Sequence, residues 1–495
     1  MLFSSQPFIL GFLPIALAGF FLLGQLDRFR PKLNLCGRNW GLGWLVAASL
    51  FFYAWCNPPF VLLLMGSVLV NYGLGQRILR LARVGHGIAA RRWLAIGIAG
   101  NLTLIGIFKY ADFLLNVLTA GYAPHFVIFL PLAISFFTFQ QIMFLVDGYR
   151  QRRPAASLLT YAGFVSLFPH LIAGPLVRPG EIIPQLVSPA LALPSRVNVT
   201  DGLTIFLLGL GKKLVLADAF GFFADIGFDA AGNGEVLSFA EAWYAALSYA
   251  LQIYFDFSAY SDMAIGLARM LNVRFPVNFD SPYKAANISD FWRRWHITLS
   301  QFLRDYVYIP LGGNRRGPAR KGLNMMLTML LGGLWHGAAW NFVLWGGLHG
   351  VFLILCARSR LGLPALLARM LTLAAVVVGW VPFRASGFHA TWIMLRGMMG
   401  LEGLALPQMI TGAFPALQAI AQPVPVLRFL GDARTLSFPE VTAMLALGWF
   451  IVLCMPNVHE LTERGRTLAL TAGFGLTMQA LFFAPRVAPF LYFQF

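Results

Sequence analysis

Charge is scarce in this sequence. Of 495 residues only 12% are Asp, Glu, Lys or Arg, while 58% are hydrophobic; a soluble domain carries about twice that charge fraction. The balance excludes an ordinary water-soluble protein. Cysteine is scarce too. Cys36, Cys56, Cys356 and Cys454 lie far apart with no CxxC, which excludes a disulfide framework and a zinc site and leaves them as packing residues. No internal repeat, low-complexity tract or soluble domain is evident, so the chain reads as one membrane domain over 1–495. GxSxG, a Walker loop and a GxGxxG in a suitable context are all missing, as is any ready Ser/His/Asp triad.

Long apolar runs are what the chain has instead. Candidate spans, some only the apolar centre of a longer segment, cover 7–24, 60–75, 93–110, 126–146, 203–223, 323–344, 347–356, 371–381, 442–455 and 468–483. A spanning helix needs about 20 apolar residues, so roughly 10 to 13 helical membrane segments are expected, some re-entrant. The first run lacks a basic n-region and reads as a spanning helix rather than a cleaved signal peptide.

The net charge of +17 raises the question of nucleic acid, and the location of the charges answers it. Basic residues sit in short loops: Arg28, Arg30, Lys32 and Arg38, then Arg77, Arg80, Arg83, Arg91 and Arg92, then Arg150, Arg152 and Arg153. That is the positive-inside pattern of a membrane protein, with membrane lipids as the neighbours and no nucleic acid. With no charge from Met1 to Gln25, the N-terminus is expected outside, and Asn57-Pro58-Pro59 is expected to turn on that same side.

Three stretches are less apolar. Residues 177–199, with Pro179, Pro184, Pro189 and Pro194, read as a loop. Residues 401–439 read as an external loop or a pair of short helices. Residues 275–321 carry eight basic residues against Asp280, Asp290 and Asp305. Ser289 and Asp290 are helix-start residues, and Phe291, Trp295, Phe302 and Tyr306 recur at helical spacing. A basic amphipathic helix of this kind belongs at the membrane interface. His296, four residues after Trp292 and three before Leu299, shares the apolar side and is expected to point inward.

Chemistry centres on His336, in Leu330-Leu331-Gly332-Gly333-Leu334-Trp335-His336-Gly337. No Asp, Glu, Lys or Arg occurs between Lys321 and Arg358. An imidazole at membrane depth needs a polar partner or a wet cavity, and such residues are functional candidates by default. Imidazole is also the side chain whose unperturbed pKa lies nearest neutrality, which suits a general base. Gly332, Gly333 and Gly337 let backbones or a substrate approach. His349 and His170 read as structural. The Arg and Lys clustered around His296 suit an anionic donor such as a phosphate-bearing thioester, or else an anionic lipid surface. In Tyr254-Phe255-Asp256-Phe257-Ser258-Ala259-Tyr260-Ser261-Asp262 the two carboxylates are six apart, about 240° around a helix. They read as buried hydrogen-bond partners for Arg or His. The C-terminal Phe490-Leu491-Tyr492-Phe493-Gln494-Phe495 reads as an interfacial helix end, with Tyr492 an alternative nucleophile.

These motifs together resemble the membrane-bound O-acyltransferase (MBOAT) family, and more narrowly its alginate O-acetyltransferase branch. The residues that carry the resemblance are Phe291-Trp292-Arg293-Arg294-Trp295-His296-Ile297, Leu303-Arg304-Asp305-Tyr306, Leu311-Gly312-Gly313-Asn314-Arg315 and Leu331-Gly332-Gly333-Leu334-Trp335-His336-Gly337-Ala338. Phe52-Tyr53-Ala54-Trp55, Phe168-Pro169-His170-Leu171-Ile172-Ala173-Gly174-Pro175 and Tyr254-Phe255-Asp256-Phe257-Ser258 add to it. The resemblance implies an all-α polytopic protein, with tilted or re-entrant helices around a central funnel in a bacterial inner membrane. It makes 275–321 the basic interfacial or cytoplasmic segment and 322–356 the helix region with the essential histidine, His336. His296 matches the second functional histidine. Arg293, Arg294, Arg304, Asn314, Trp335, Asp256 and Asp262 complete the expected substrate-binding set.

No metal and no tightly bound cofactor is expected. Acetyl-CoA is the expected donor, and periplasmic SGNH-type partner proteins are the recipients, which then acetylate polysaccharide hydroxyls. The related D-alanyl transfer system uses a small partner with a similar aromatic-Tyr ending, which suggests Tyr492 as an acyl relay. Cellulose or peptidoglycan as acceptor, or a transporter for a lipid-linked glycan, are the competing expectations.

Overall fold

Inside hydrocarbon every backbone N–H and C=O must be paired within the segment, so apolar runs of this length become helices. The computed structural model describes residues 1–29, 39–56, 58–119, 129–151, 155–358, 362–419, 422–424, 438–483 and 489–491. Among them the architecture is all-α apart from one parallel pair of three-residue strands, Ala405–Pro407 with Gln422–Val424.

Among the described residues five helices are long and apolar enough to cross a membrane: Pro7–Leu26, Phe60–Arg83, Gly87–Leu118, Trp340–Arg358 and Ala365–Arg384. This is fewer than the expected number of spans, for two reasons. Several apolar helices are short, such as the 17-residue Trp40–Cys56. Others carry charge or polar residues along their length, as do Phe239–Met270 with 32 residues and Gly317–His336 with 20.

The chain groups into two compact units. One comprises Met1–Leu210, Ala259–Val277 and Glu463–Gln494. Its interior is aromatic, with Phe3, Phe8, Phe12, Phe52 and Phe168 ring against ring and Tyr260 edge-on to Phe490 at 4.9 Å. Some polar groups in it find local partners. The His170 ring nitrogens lie 2.7 and 3.0 Å from the carbonyls of Leu167 and Phe164, which is the structural role expected. Asp201 joins Arg269 at 3.3 Å and Arg466 at 2.5 Å, tying three helices together.

The other unit comprises Gly211–Ser258 and Asn278–Thr462. Its tightest joint is between helices Gly317–His336 and Trp340–Arg358. A Cβ on Gly333 would meet the carbonyl oxygen of Phe342 and lie 3.1 Å from Gly346 Cα. Only glycine permits that backbone-to-backbone approach.

Three expectations need correcting. Residues 291–306 are not one helix: Ile288–Arg294 ends, Trp295 is extended, His296 turns left-handed (φ 42°, ψ 54°) and Ile297–Leu303 begins anew. Residues 323–344 are likewise interrupted, because Gly317–His336 stops at the extended Gly337 before Trp340–Arg358 starts. Within 177–199, Pro179–Leu186 is helical, its first proline sitting at the helix start where no donor is lost.

Candidate functional site

His336 is the last residue of helix Gly317–His336 and is buried. Its ring is set edge-on against Trp335 at 4.7 Å, Trp345 at 5.1 Å and Phe383 at 5.0 Å. Three different helices thus fix its orientation. His296, also buried, caps the start of Ile297–Leu303. Its ring meets Phe257 at 4.7 Å and Trp335 at 6.2 Å, so one indole touches both histidines.

Asn278 orients His296. The Asn278 Oδ1 accepts from Thr298 N at 3.2 Å and Thr298 Oγ1 at 3.0 Å, and His296 Nδ1 lies 3.2 Å away. An amide oxygen only accepts, so Nδ1 carries the proton and Nε2 is the basic nitrogen. The left-handed backbone at His296 is a strained conformation of the sort that persists where surrounding structure over-determines it.

A cleft of about 580 Å³ opens on the same unit. Asn287, Ser289, Trp292 and Arg293 line it from one short helix and its lead-in, Arg304 and Tyr308 from the π-helical turn Arg304–Tyr308, and Asn314 from the following loop. Lys321, Met325, Thr328 and Met329 complete one wall, and Leu353, Cys356 and Ala357 another. The first set recurs every three to four residues along Gly317–His336, and the same face continues through Gly332 to His336. On Trp340–Arg358 the face bearing Leu353 and Ala357 reaches His349 one turn earlier. His349 is fully buried between Trp292 at 5.2 Å and Trp345 at 5.0 Å, and neither ring nitrogen has a hydrogen-bond partner among the described residues.

The lining holds three cations and no carboxylate. Asp305 grips Arg304 from beside the cleft with contacts of 2.7 and 3.2 Å, and these hydrogen bonds raise the guanidinium pKa above its usual value. Tyr308 Oη donates to Asn314 Oδ1 at 2.6 Å. Buried Asn324 donates to the Gly313 carbonyl at 3.0 Å, pinning a loop in which Gly312 and Gly313 both have positive φ. The arrangement presents a mouth for an anion and, at the far end of one helix face, a fixed imidazole.

The expected residues therefore divide. Arg293, Arg304 and Asn314 line the cleft, with Trp335 and the two histidines deeper in the unit. Arg294 is turned to Asp290 at 3.2 Å and Asp280 at 3.5 Å. Asp256 lies 2.7 Å from Lys213 Nζ, which also meets Asp218 at 2.7 Å, so its partner is a lysine rather than the expected Arg or His. Asp262, also buried, belongs to the other compact unit. Tyr492 lies outside the described residues. Among the described residues no three of His, Cys, Asp or Glu gather where a metal ion would sit.

Sequence reasoning missed Asn278, Thr298 and Lys213. Lys213 did carry a signal. It sits with Lys212 and Asp218 inside an apolar run, where an ionisable residue demands a partner.

The family model described as "MBOAT, membrane-bound O-acyltransferase family" matches residues 128–395. The chain is 38% identical to the peptidoglycan O-acetyltransferase of Helicobacter pylori, an alignment covering 100% of this chain and 98% of that one. It is 40% identical to the probable alginate O-acetylase AlgI of Pseudomonas aeruginosa, over 84% of this chain and 78% of the relative. It is 25% identical to the teichoic acid D-alanyltransferase of Bacillus subtilis, over 52% and 69%.

Proposed function

This chain belongs to the membrane-bound O-acyltransferase family, and from that premise we propose that it takes an acetyl group from cytosolic acetyl-CoA and passes it across the inner membrane for O-acetylation of an exopolysaccharide, alginate first, aided by periplasmic SGNH-type partner proteins. Membership makes it a multi-pass membrane enzyme, an O-acyltransferase, rather than a glycan transporter. The observation that carries the finer reading is the cleft, where Arg293 and Arg304 gather with Lys321, and Lys321 lies on the helix that ends at His336. Phosphates of a CoA thioester suit the cations, and the thioester would lie toward the histidine.

In the proposed step the oxygen of an acceptor hydroxyl attacks the thioester carbonyl carbon. His336 takes the hydroxyl proton, with His296 orienting or assisting. The C–S bond breaks, an oxygen ester forms, and CoA leaves as a thiolate that regains a proton on the cytoplasmic side. The N-terminus faces the periplasm in this arrangement. Tyr492 is a further candidate to carry the acyl group, and labelled acetyl-CoA followed by mass spectrometry of the C-terminal peptide tests it. No adduct on the wild type counts against a relay.

Peptidoglycan is the second acceptor to consider, because the Helicobacter relative so named aligns over the whole chain. Purified protein plus its partner, given acetyl-CoA and either alginate or peptidoglycan fragments, separates the readings. CoA release with ester formation on one polymer supports that acceptor, and no release with any acceptor defeats the donor assignment.

A further inference from the structure

Helices Phe60–Arg83 and Gly87–Ile105 are joined by a short turn and pack side by side, with a groove of about 390 Å³ between them. Leu62, Gly66, Val70 and Leu74 form one wall at four-residue spacing, and Ile96, Gly100 and Leu104 form the other. Gly66 and Gly100 keep it open: a Cβ on either meets nothing within 4 Å. The polar side chains in the groove are already engaged, with one another or with Gln141 beside it. Asn101 Nδ2 donates to Asn71 Oδ1 at 2.6 Å, and Ser67 Oγ donates to Gln141 Oε1 at 3.1 Å. The groove therefore offers its occupant an apolar channel that needs no hydrogen bonds, which suits a hydrocarbon chain.

One end of the groove has a different character. The lining faces continue, three residues past Leu74, to Arg77 and, three residues before Ile96, to Trp93. These two residues meet, with the guanidinium carbon of Arg77 4.1 Å from the Trp93 ring centroid. Arg92 lies one turn from Ile96, and Arg80, Arg83 and Arg91 are exposed on the same helix ends. No Asp or Glu occurs between Asp27 and Asp112, so these two helices carry five arginines at this end and no acid of their own. Tryptophan favours the headgroup level of a bilayer, and guanidinium pairs with phosphate through two parallel hydrogen bonds.

We propose that this groove is a binding site for a phospholipid with an anionic headgroup. One acyl chain lies along the Gly66–Gly100 channel and the phosphate rests on Arg77 and Arg92 beside Trp93. Charge complementarity selects this occupant over an apolar helix of a partner protein, which would have no use for the arginines. The groove shares no lining residue with the cleft and includes neither candidate catalytic histidine.

The test uses the full-length protein in nanodiscs of equimolar phosphatidylcholine and phosphatidylglycerol, followed by native mass spectrometry of the lipids retained on extraction. Wild type is expected to retain phosphatidylglycerol preferentially. The double variant Arg77→Gln, Arg92→Gln is expected to lose roughly thirtyfold of that preference, since each basic group near the surface contributes about fivefold. Arg77→Lys keeps it. Gly66→Leu with Gly100→Leu fills the channel and loses both lipids. Should the double arginine variant not elute as a monodisperse protein, Arg92→Gln alone leaves the Trp93 contact intact and is expected to lose about fivefold. Equal retention of the two lipids by wild type overturns the proposal. So does undiminished phosphatidylglycerol on the channel-filled variant, including the case where that variant instead loses a co-purifying partner protein.

Discussion

Asn278 and His296 are 18 residues apart in sequence and 3.2 Å apart in space, the amide oxygen of the first fixing the ring nitrogen of the second. Their bond crosses the segment in which the chain leaves Phe239–Met270, turns past Ser281 and enters the short helix Ile288–Arg294. The imidazole is thus held by backbone laid down well before it.

Asn278→Ala is expected to leave His336 in place while letting the His296 ring rotate. A misplacement of about 1 Å near reacting atoms costs about a hundredfold, so CoA release should fall by that order with no loss of membrane insertion. Asn278→Asp keeps the acceptor oxygen and should retain more activity than the alanine variant. Wild-type rates in Asn278→Ala would mean that the orientation of His296 is irrelevant to turnover.

His336→Ala should fold and insert normally, because the ring ends its helix and its removal breaks no helix turn. Removing a general base costs roughly 100- to 10,000-fold. Acetylation in cells carrying this variant, compared with protein levels in the membrane fraction, decides the matter: unchanged acetylation defeats the assignment.

Arg293→Ala and Lys321→Ala remove cations at the mouth of the cleft and leave the histidines untouched. Their effect is expected in KM for acetyl-CoA, raised about tenfold, with kcat nearly unchanged, since binding lost equally in ground and transition states shows in KM. A fall in kcat at unchanged KM would place these residues nearer the reacting atoms than the cleft does.

Gly346→Ala puts a methyl group against the carbonyl of Met329, with Leu330 Cα 3.2 Å away. Overpacking of this kind costs about 1–3 kcal/mol. A lowered thermal midpoint in detergent should accompany reduced activity; an unshifted midpoint would show that the two helices separate easily.

Lys213→Met strands Asp256 and Asp218, both 2.7 Å from the ammonium it removes. Breaking a buried pair from one side costs about 3–5 kcal/mol, whereas replacing all members together is often neutral. Thermal stability should therefore fall in Lys213→Met and recover when Asp256→Asn and Asp218→Asn are added. Absence of recovery would show that the lysine acts through something other than this network.

The broad class was legible because hydrocarbon imposes one rule on every residue, and the low charge and long apolar runs report it directly. The burial of His336 was legible for the same reason: a polar ring in a run without charge stands out. The burial of His296 was read correctly, but from a continuous helix that does not exist. Periodicity cannot register one left-handed residue, since Trp295 and His296 break the helix without a Gly or Pro to mark the place. Asn278 was invisible because its partner comes 18 residues later across an irregular segment. Asp256 was seen as a buried partner, but its lysine lies 43 positions earlier, and no local pattern links the two.

Helix Gly317–His336 also acts as a ruler. Lys321 at the cleft and His336 at the helix end are fifteen residues apart, roughly 22 Å at 1.5 Å per residue. A donor that rests its anion on Lys321 and presents its acyl carbon to His336 must be long, flexible and charged at the far end only. A small acyl phosphate, whose charge is bonded directly to the acyl group, satisfies one end of that measure at a time. If the donor binds as proposed, the length of this one helix discriminates among activated acetyl donors before any side chain touches the reacting bond.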